Sequence, residues 1–257
     1  MCVVVSTRAE EINVESREST IDVPARPMSF PLRPSATAVV VVDMQNDFAS
    51  PGGMFDRAGI DITGVQAIVP TVKSVLVAAR EAGLAIVYLK MGFSADLADA
   101  GYPTSPTWLK HKPLHVGDAV ESPNGEPSRI LIRDCWNTDI VSELVPMDGD
   151  IVLYKTRYSG FYKTELDQVL EQRGITQLIV VGATTSVCVE STVRDAMFRD
   201  YHCLVIADGT AEPIGADALR SNHEASLLTL ELLFASVAES TDLLGSLRGA
   251  GHLARHR

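Results

Sequence analysis

Continuous apolar runs recur along this chain, separated by stretches whose apolar residues return every three or four positions. The runs are Ala38–Asp43, Leu84–Leu89, Ile151–Lys155, Gln177–Gly182 and His202–Ala207. Each is apolar throughout rather than alternating, which is the pattern of a strand covered on both faces. Between them, Val65, Ile68, Val69, Val72, Val75, Leu76 and Ala79 share one helical face, closed by Gly83. Pro70 lies inside that span, so the regular helix starts near it or kinks there. Further helices are expected from near Thr164 to Gly174, over Val189–Met197 and over Ala216–Phe234. Strands alternating with helices predict an α/β protein, three layers (α/β/α) around a mostly parallel sheet.

Two stretches break the pattern. Residues 1–36 are polar and carry Pro24, Pro27, Pro31 and Pro34 without sustained periodicity, so they read as an extended arm that wraps a neighbouring subunit. Residues 91–138 are irregular, with prolines at 103, 106, 113, 123 and 127, a length that suits a binding loop or lid. The division expected is an arm (1–36), a catalytic domain (37–248) and a tail (249–257).

Composition narrows the class. A chain of 257 residues, 46% hydrophobic, can bury a full core as one large domain. No apolar run approaches the length of a membrane span, and Met1–Ser6 is too short and too poorly flanked for a signal peptide. Cys2, Cys135, Cys188 and Cys203 are scattered without CxxC pairing, which suits a reducing, cytoplasmic setting. The net charge of −11 argues against nucleic acid or an anionic membrane as partner and leaves a small molecule. The arm and the apolar helix near Leu227–Phe234 predict a homo-oligomer, dimer or tetramer.

The chemistry lies at the ends of the strands. Ligands of parallel sheets bind beyond the carboxyl ends, and Asp43, Lys155 and Cys188 stand at or just past three of them. Taken singly, Asp43 is equally a turn cap, Lys155 a surface lysine and Cys188 a small core residue. Together they make a hydrolytic site. In the first turn of a helix, Cys188 meets unpaired N–H groups that lower a thiol pKa. Asp43 can take the thiol proton and return it to a leaving nitrogen, and Lys155 steadies both charges. The thiolate attacks a carbonyl carbon, with the N–H groups of Thr184 and Cys188 as oxyanion hole. Phe48, Phe93, Trp108, Trp136, Tyr158 and Phe161 can wall a pocket or pack the core, and Arg157 is the nearest candidate cation for a substrate carboxylate, ahead of Lys112 and Arg133.

Three blocks carry a resemblance: Val42-Asp-Met-Gln-Asn-Asp-Phe48, Lys155-Thr-Arg-Tyr-Ser-Gly-Phe161 and Gly182-Ala-Thr-Thr-Ser-Val-Cys188-Val-Glu-Ser-Thr192. In order and spacing, over roughly residues 36–247, they resemble the isochorismatase-like cysteine hydrolases. The resemblance implies the Rossmann-like fold of that family, Asp43, Lys155 and Cys188 as catalytic triad, and a cis peptide at Ala183–Thr184. With the cysteine present it implies C–N bond hydrolysis rather than vinyl-ether cleavage.

Within the family the chain is most similar to the ureidoacrylate amidohydrolases of pyrimidine-ring breakdown, through Ser50-Pro-Gly-Gly53, Val187–Asp195, Ala100-Gly101 and Ser105-Pro106. Biuret hydrolases and N-carbamoylsarcosine amidohydrolases are near relatives, and Ala95–Asp99 with Arg129–Ile132 lean toward the first of these. Met91 and Phe93 stand where the ureidoacrylate enzymes imply Asn and Trp. The implied substrate is a small ureido or N-carbamoyl amide, with Phe48, Phe93, Arg157 and Tyr158 as its binding residues. A bulkier amide or lactam, or a non-catalytic binding module, are the alternatives. No cofactor or metal is implied: His111 and His115 straddle Pro113, which spoils a helical ligand pair, and they read as solvated loop residues.

Overall fold

A computed structural model describes residues 20–215 and 218–255. Its centre is a six-stranded sheet of β1 (Thr37–Val42), β2 (Ala85–Met91), β3 (Ile151–Lys155), β4 (Gln177–Ala183), β5 (His202–Ala211) and β6 (Ser236–Ala238). The order is β6-β5-β4-β1-β2-β3 and every pair is parallel. Five described helices of seven residues or more pack on it: α1 (Val69–Glu81), α2 (Leu166–Gln172), α3 (Glu190–Met197), α4 (Asn222–Leu233) and α5 (Ser240–Arg255). β1 shows why its sequence is apolar throughout. Val39 and Val41 join the core that holds Val72, Val75 and Leu76 of α1 and Leu243 and Leu247 of α5. Ala38, Val40 and Val42 face the opposite core, with Leu166 and Leu170 of α2, Val193 of α3 and Leu230 of α4. Successive side chains of a strand point to opposite faces, so a strand between two helical layers needs apolar residues at every position.

Several elements differ from expectation. The span Val65–Ala82 forms two helices, Thr63–Ala67 and then α1, with Ile68 between them and Pro70 in the first turn of the second. Proline lacks the N–H that a helix start leaves unbonded, so it opens α1 rather than kinking it. The last expected helix begins at Asn222, capped by the Ser221 side chain, which accepts from the Glu224 N–H; Ala216 lies outside the described residues. β6 follows it, a strand too short for its apolar pattern to stand out.

The described part of the arm packs on its own chain. Ile21–Val23 and Phe30–Leu32 pair as an antiparallel hairpin. Their alternate residues Ile21, Val23, Phe30 and Leu32 are buried in the same core as α1 and α5. Arg26 pairs with Val237 of β6 through both backbone groups, and Ser246 of α5 donates to the Asp22 carbonyl. The period-two apolar positions give the hairpin one face to bury, and its own chain covers that face. Residues 1–19, with Cys2 and the Met1–Ser6 segment, lie outside the described residues. At the other end α5 runs unbroken across the expected boundary at 248, and residues 256–257 lie outside the described residues. The 91–138 stretch also holds regular structure, a short helix Pro106–His111 and a hairpin of Ala119–Glu121 with Pro127–Arg129.

Gly182 sets the spacing at the centre of the sheet. It pairs with Val42 across β1 and β4, with φ of +117°, and a Cβ there would drive into the Val42 carbonyl. Only glycine tolerates both the backbone angle and the contact. Gly182→Ala is expected to destabilise the protein by roughly 1–3 kcal/mol and to lower turnover by parting the ends of β1 and β4. Urea denaturation and a rate measurement on one preparation check both effects.

Candidate active site

Topology brings Asp43 and Cys188 together. Strands β1 and β4 are neighbours, and their following helices, α1 and α3, cover opposite faces, so a crevice opens beyond their carboxyl ends. Asp43 is the first residue past β1. Its N–H still bonds the Leu89 carbonyl of β2 at 2.9 Å, and its φ of 51° turns the chain away from the sheet. Past β4, Ala183 and Thr184 are joined by a cis peptide, and residues Thr185–Val189 make one wide turn that leads into α3. Cys188 lies in that turn, facing the crevice.

Lys155 reaches the pair from farther away. It ends β3, two strands from β1, and its side chain crosses the end of β2 past Met91. Its Nζ lies 2.7 Å from Asp43 Oδ2, 3.4 Å from Cys188 Sγ and 3.3 Å from the Arg157 carbonyl. Lys155 is wholly buried, Asp43 is 1% exposed and Cys188 7%. Asp43 Oδ1 is buried without a hydrogen bond to any described residue. That oxygen remains available to a proton.

The loop behind Lys155 is clasped to α3. Gly160 N–H donates to Thr192 Oγ1, which itself donates to the Cys188 carbonyl at 2.7 Å, and Ser159 Oγ donates to Asp195 at 2.5 Å. These contacts give the residues shared by the second and third sequence blocks a physical role, holding lysine and cysteine in register. A second brace is Glu212, which accepts from Ser186 N–H and from Ile214 N–H, and so ties the Cys188 turn to the segment after β5.

Burial controls the charges. It pushes the Cys188 thiol up, with the neighbouring Asp43 adding to the shift, and the positive charge of Lys155 only partly opposes them. The thiol is therefore protonated at rest, which corrects the expectation that its place at a helix start lowers its pKa. Burial raises Asp43 too, against the opposing pull of Lys155. For Lys155, burial favours the neutral amine, but Asp43 and Cys188 outweigh it and hold the ammonium above its ordinary range. The site thus combines a buried ammonium and thiol with a carboxyl group whose pKa is raised, and their protons move as one coupled set. If Asp43 must be ionised to take the thiol proton, kcat/KM falls as pH drops through the raised Asp43 pKa. The acid limb of the rate profile is expected above the ordinary aspartate range, and in Lys155-intact protein a limb at the usual value would contradict this.

Asp43 and Cys188 open on a small cavity of about 120 Å³. Phe48, Met54, Phe55, Met91, His111 and Tyr158 contribute to its wall together with Thr184 and Cys188. Of the expected binding residues, the structure therefore brings Phe48 and Tyr158 to the site. Phe93 is buried one layer back, against the His111 ring at 5.7 Å. Arg157 turns its guanidinium to the carbonyls of Thr156 and Asp99, outside the cavity wall. Arg133 is paired with Asp99 at 2.7 Å. His111 was expected in solvent and is 5% exposed, because Phe93 and Tyr158 enclose its ring. A larger surface depression of about 990 Å³, lined by Trp136, Lys90 and Val152 among others, contains none of the triad.

Residues 37–242 match the isochorismatase domain family. The ureidoacrylate amidohydrolase RutB of Caulobacter segnis is 42% identical over 223 residues, covering 87% of this chain and 90% of that protein. RutB of Agrobacterium fabrum is 41% identical, covering 86% and 94%. Among solved structures, a cysteine hydrolase from Pseudomonas syringae pv. phaseolicola superposes with a TM-score of 0.71 at 27% identity, covering 91% of this chain and 99% of that one. An N-carbamoylsarcosine amidase from Thermoplasma acidophilum gives 0.57 at 26% identity, covering 79% and 96%. In sequence and in architecture, the chain belongs to the isochorismatase-like cysteine hydrolase family.

Proposed function

We propose that the protein is a cysteine amidohydrolase that cleaves a C–N bond of a small ureido or N-carbamoyl compound, with Asp43, Lys155 and Cys188 as its catalytic residues. The observation that carries this reading is the buried contact of Lys155 with both Asp43 and Cys188, beside an unbonded carboxylate oxygen and at the mouth of a small cavity. Cys188 Sγ bonds to the substrate carbonyl carbon as its proton passes to Asp43. The oxygen of the tetrahedral adduct takes the negative charge, received by the backbone N–H groups of Thr184 and Cys188. Asp43 returns the proton to the departing nitrogen, and the C–N bond breaks, leaving a carbamoyl thioester on Cys188. Water, deprotonated by Asp43, attacks that carbon, and the sulfur leaves and is reprotonated. Lys155 favours the ionised form of Asp43 before each proton transfer and steadies the developing thiolate.

The names of the relatives favour the ureido class, and the size of the cavity favours a small substrate over a bulky amide or lactam. Release of ammonia and carbon dioxide from ureidoacrylate, biuret, N-carbamoyl amino acids and simple amides tests this. Turnover of a ureido compound with a carbamoyl adduct trapped on Cys188 is the expected result, and hydrolysis confined to simple amides would refute the ureido assignment. A role in pyrimidine degradation follows only if ureidoacrylate is the compound cut.

A homo-oligomer is part of the same reading, since Leu228, Leu232 and Leu233 of α4 and nearby Phe198 are exposed. So is a cytoplasmic setting, for which the free thiols of Cys135, Cys188 and Cys203 are the support. Among the described residues no helix is long and apolar enough to cross a membrane.

A further inference from the structure

We infer that the cavity selects an uncharged ureido compound and that His111 Nε2 receives one of its N–H groups. This rests on the ureido reading above and narrows it. His111 ends the short helix Pro106–His111, and its Nδ1 lies 2.8 Å from the Thr107 carbonyl oxygen. A carbonyl only accepts, so Nδ1 carries the proton. Nε2 is then a bare lone pair, without a hydrogen bond to any described residue. Burial keeps the ring neutral, with the charges of Arg157 and Lys155 acting in the same direction against the Thr107 bond. Phe93 and Tyr158, with ring centroids 5.7 and 5.8 Å away, fix its plane.

The rest of the described wall offers an anion no counter-charge. Beyond Asp43, Cys188 and Thr184 it consists of Phe48, Met54, Phe55, Met91 and other apolar side chains, with the Tyr158 phenol as the remaining polar group. Among the described residues that line it there is no arginine or lysine. Lys155 is committed to Asp43 and Cys188, and Arg157 and Arg133 bond elsewhere. A carboxylate entering this space would lose its water, find no counter-charge and face an acceptor lone pair. An amide N–H₂ at the same place meets an acceptor of the right sense. A polar cavity group that finds its partner in one substrate and not in another discriminates between them strongly.

The test uses a pair of similar size that differs in charge, 3-ureidoacrylate and its primary amide 3-ureidoacrylamide, with biuret as a second neutral compound. Loss of each is followed by chromatography, with products identified by mass so that cleavage at the ureido end is counted alone. The full-length protein is expected to show kcat/KM for the neutral compounds at least about tenfold above that for the acid. His111→Phe is expected to raise KM for the neutral compounds more than it lowers kcat and so to shrink the ratio. His111→Gln, which keeps an acceptor, restores part of it. A preference for the acid in the wild-type protein, or a ratio unmoved by both variants, would overturn the inference while leaving the ureido reading intact. If no ureido compound is cut although Cys188 is intact and the protein folded, both fall.

Discussion

Replacement of Cys188 by alanine is expected to remove turnover by at least about 10⁴-fold while leaving the fold undisturbed. No other described residue can form the thioester: Cys203 is buried in the core beneath α3, and Cys135 lies outside the cavity wall. The packing cost is small, because Sγ faces the cavity and Lys155 Nζ, which loses the Sγ contact, keeps Asp43 Oδ2 and the Arg157 carbonyl as acceptors. The backbone contacts that shape the Cys188 turn, including the bond from Thr192 to the Cys188 carbonyl, do not involve the sulfur. A thermal melt within a few degrees of wild type, beside a rate indistinguishable from buffer, is the expected pair of results. Substantial residual turnover in a preparation free of wild-type protein would rule out covalent catalysis by this residue.

Lys155→Met is expected to damage stability as well as rate. The substitution keeps much of the side-chain volume and removes the only ammonium within 4 Å of Asp43 among the described residues. A buried carboxylate stripped of its partner costs about 3–5 kcal/mol if it stays ionised. It escapes part of that cost by taking up a proton, and it then can no longer accept one from Cys188. The sign of the pH dependence follows. In the variant the folded state binds a proton at Asp43 more tightly than the unfolded chain does, so stability is greatest at low pH. It falls as pH rises from the unfolded carboxyl pKa through the raised folded one. Urea denaturation at pH 5 and pH 8 is expected to show the variant losing more stability at the higher pH. The double variant Lys155→Met with Asp43→Asn is expected to regain stability and remain inactive. Equal losses at both pH values would mean that Asp43 does not depend on Lys155 for its charge.

The sheet could be read from the chain because burial on both faces forces continuous apolar runs, as in β1, and five of its six strands have them. The meeting of Asp43, Lys155 and Cys188 was readable for a related reason. A charged residue that ends such a run has few places to go but the crevice beyond the strand ends, and Asp43 and Lys155 both do so. The protonation of Cys188 was not. The favourable effect of a helix start is local and visible in sequence, whereas the burial that outweighs it and the Asp43 charge that adds to it come from parts of the chain far from Cys188 in sequence. His111 escaped for the same reason: its neighbours Phe93 and Tyr158 are far along the chain, and Pro113 suggested an exposed loop. The hairpin within the arm was not legible because its prolines drew more weight than the two-residue alternation of Ile21, Val23, Phe30 and Leu32, which only makes sense once α5 is there to cover it.

The cavity draws on residues at or beyond the ends of five strands. Asp43 and Cys188 follow β1 and β4 at the centre of the sheet, while His111, Leu114 and Leu131 belong to the single excursion between β2 and β3. Entropy penalises a longer or shorter excursion only weakly, by about 0.6 kcal/mol for each doubling of length. The excursion can therefore be exchanged much like a cartridge, with the bond-breaking apparatus left in place. Grafts of this segment between relatives should transfer substrate preference, and laboratory evolution confined to it should alter which amide is cut before it alters how the cutting is done.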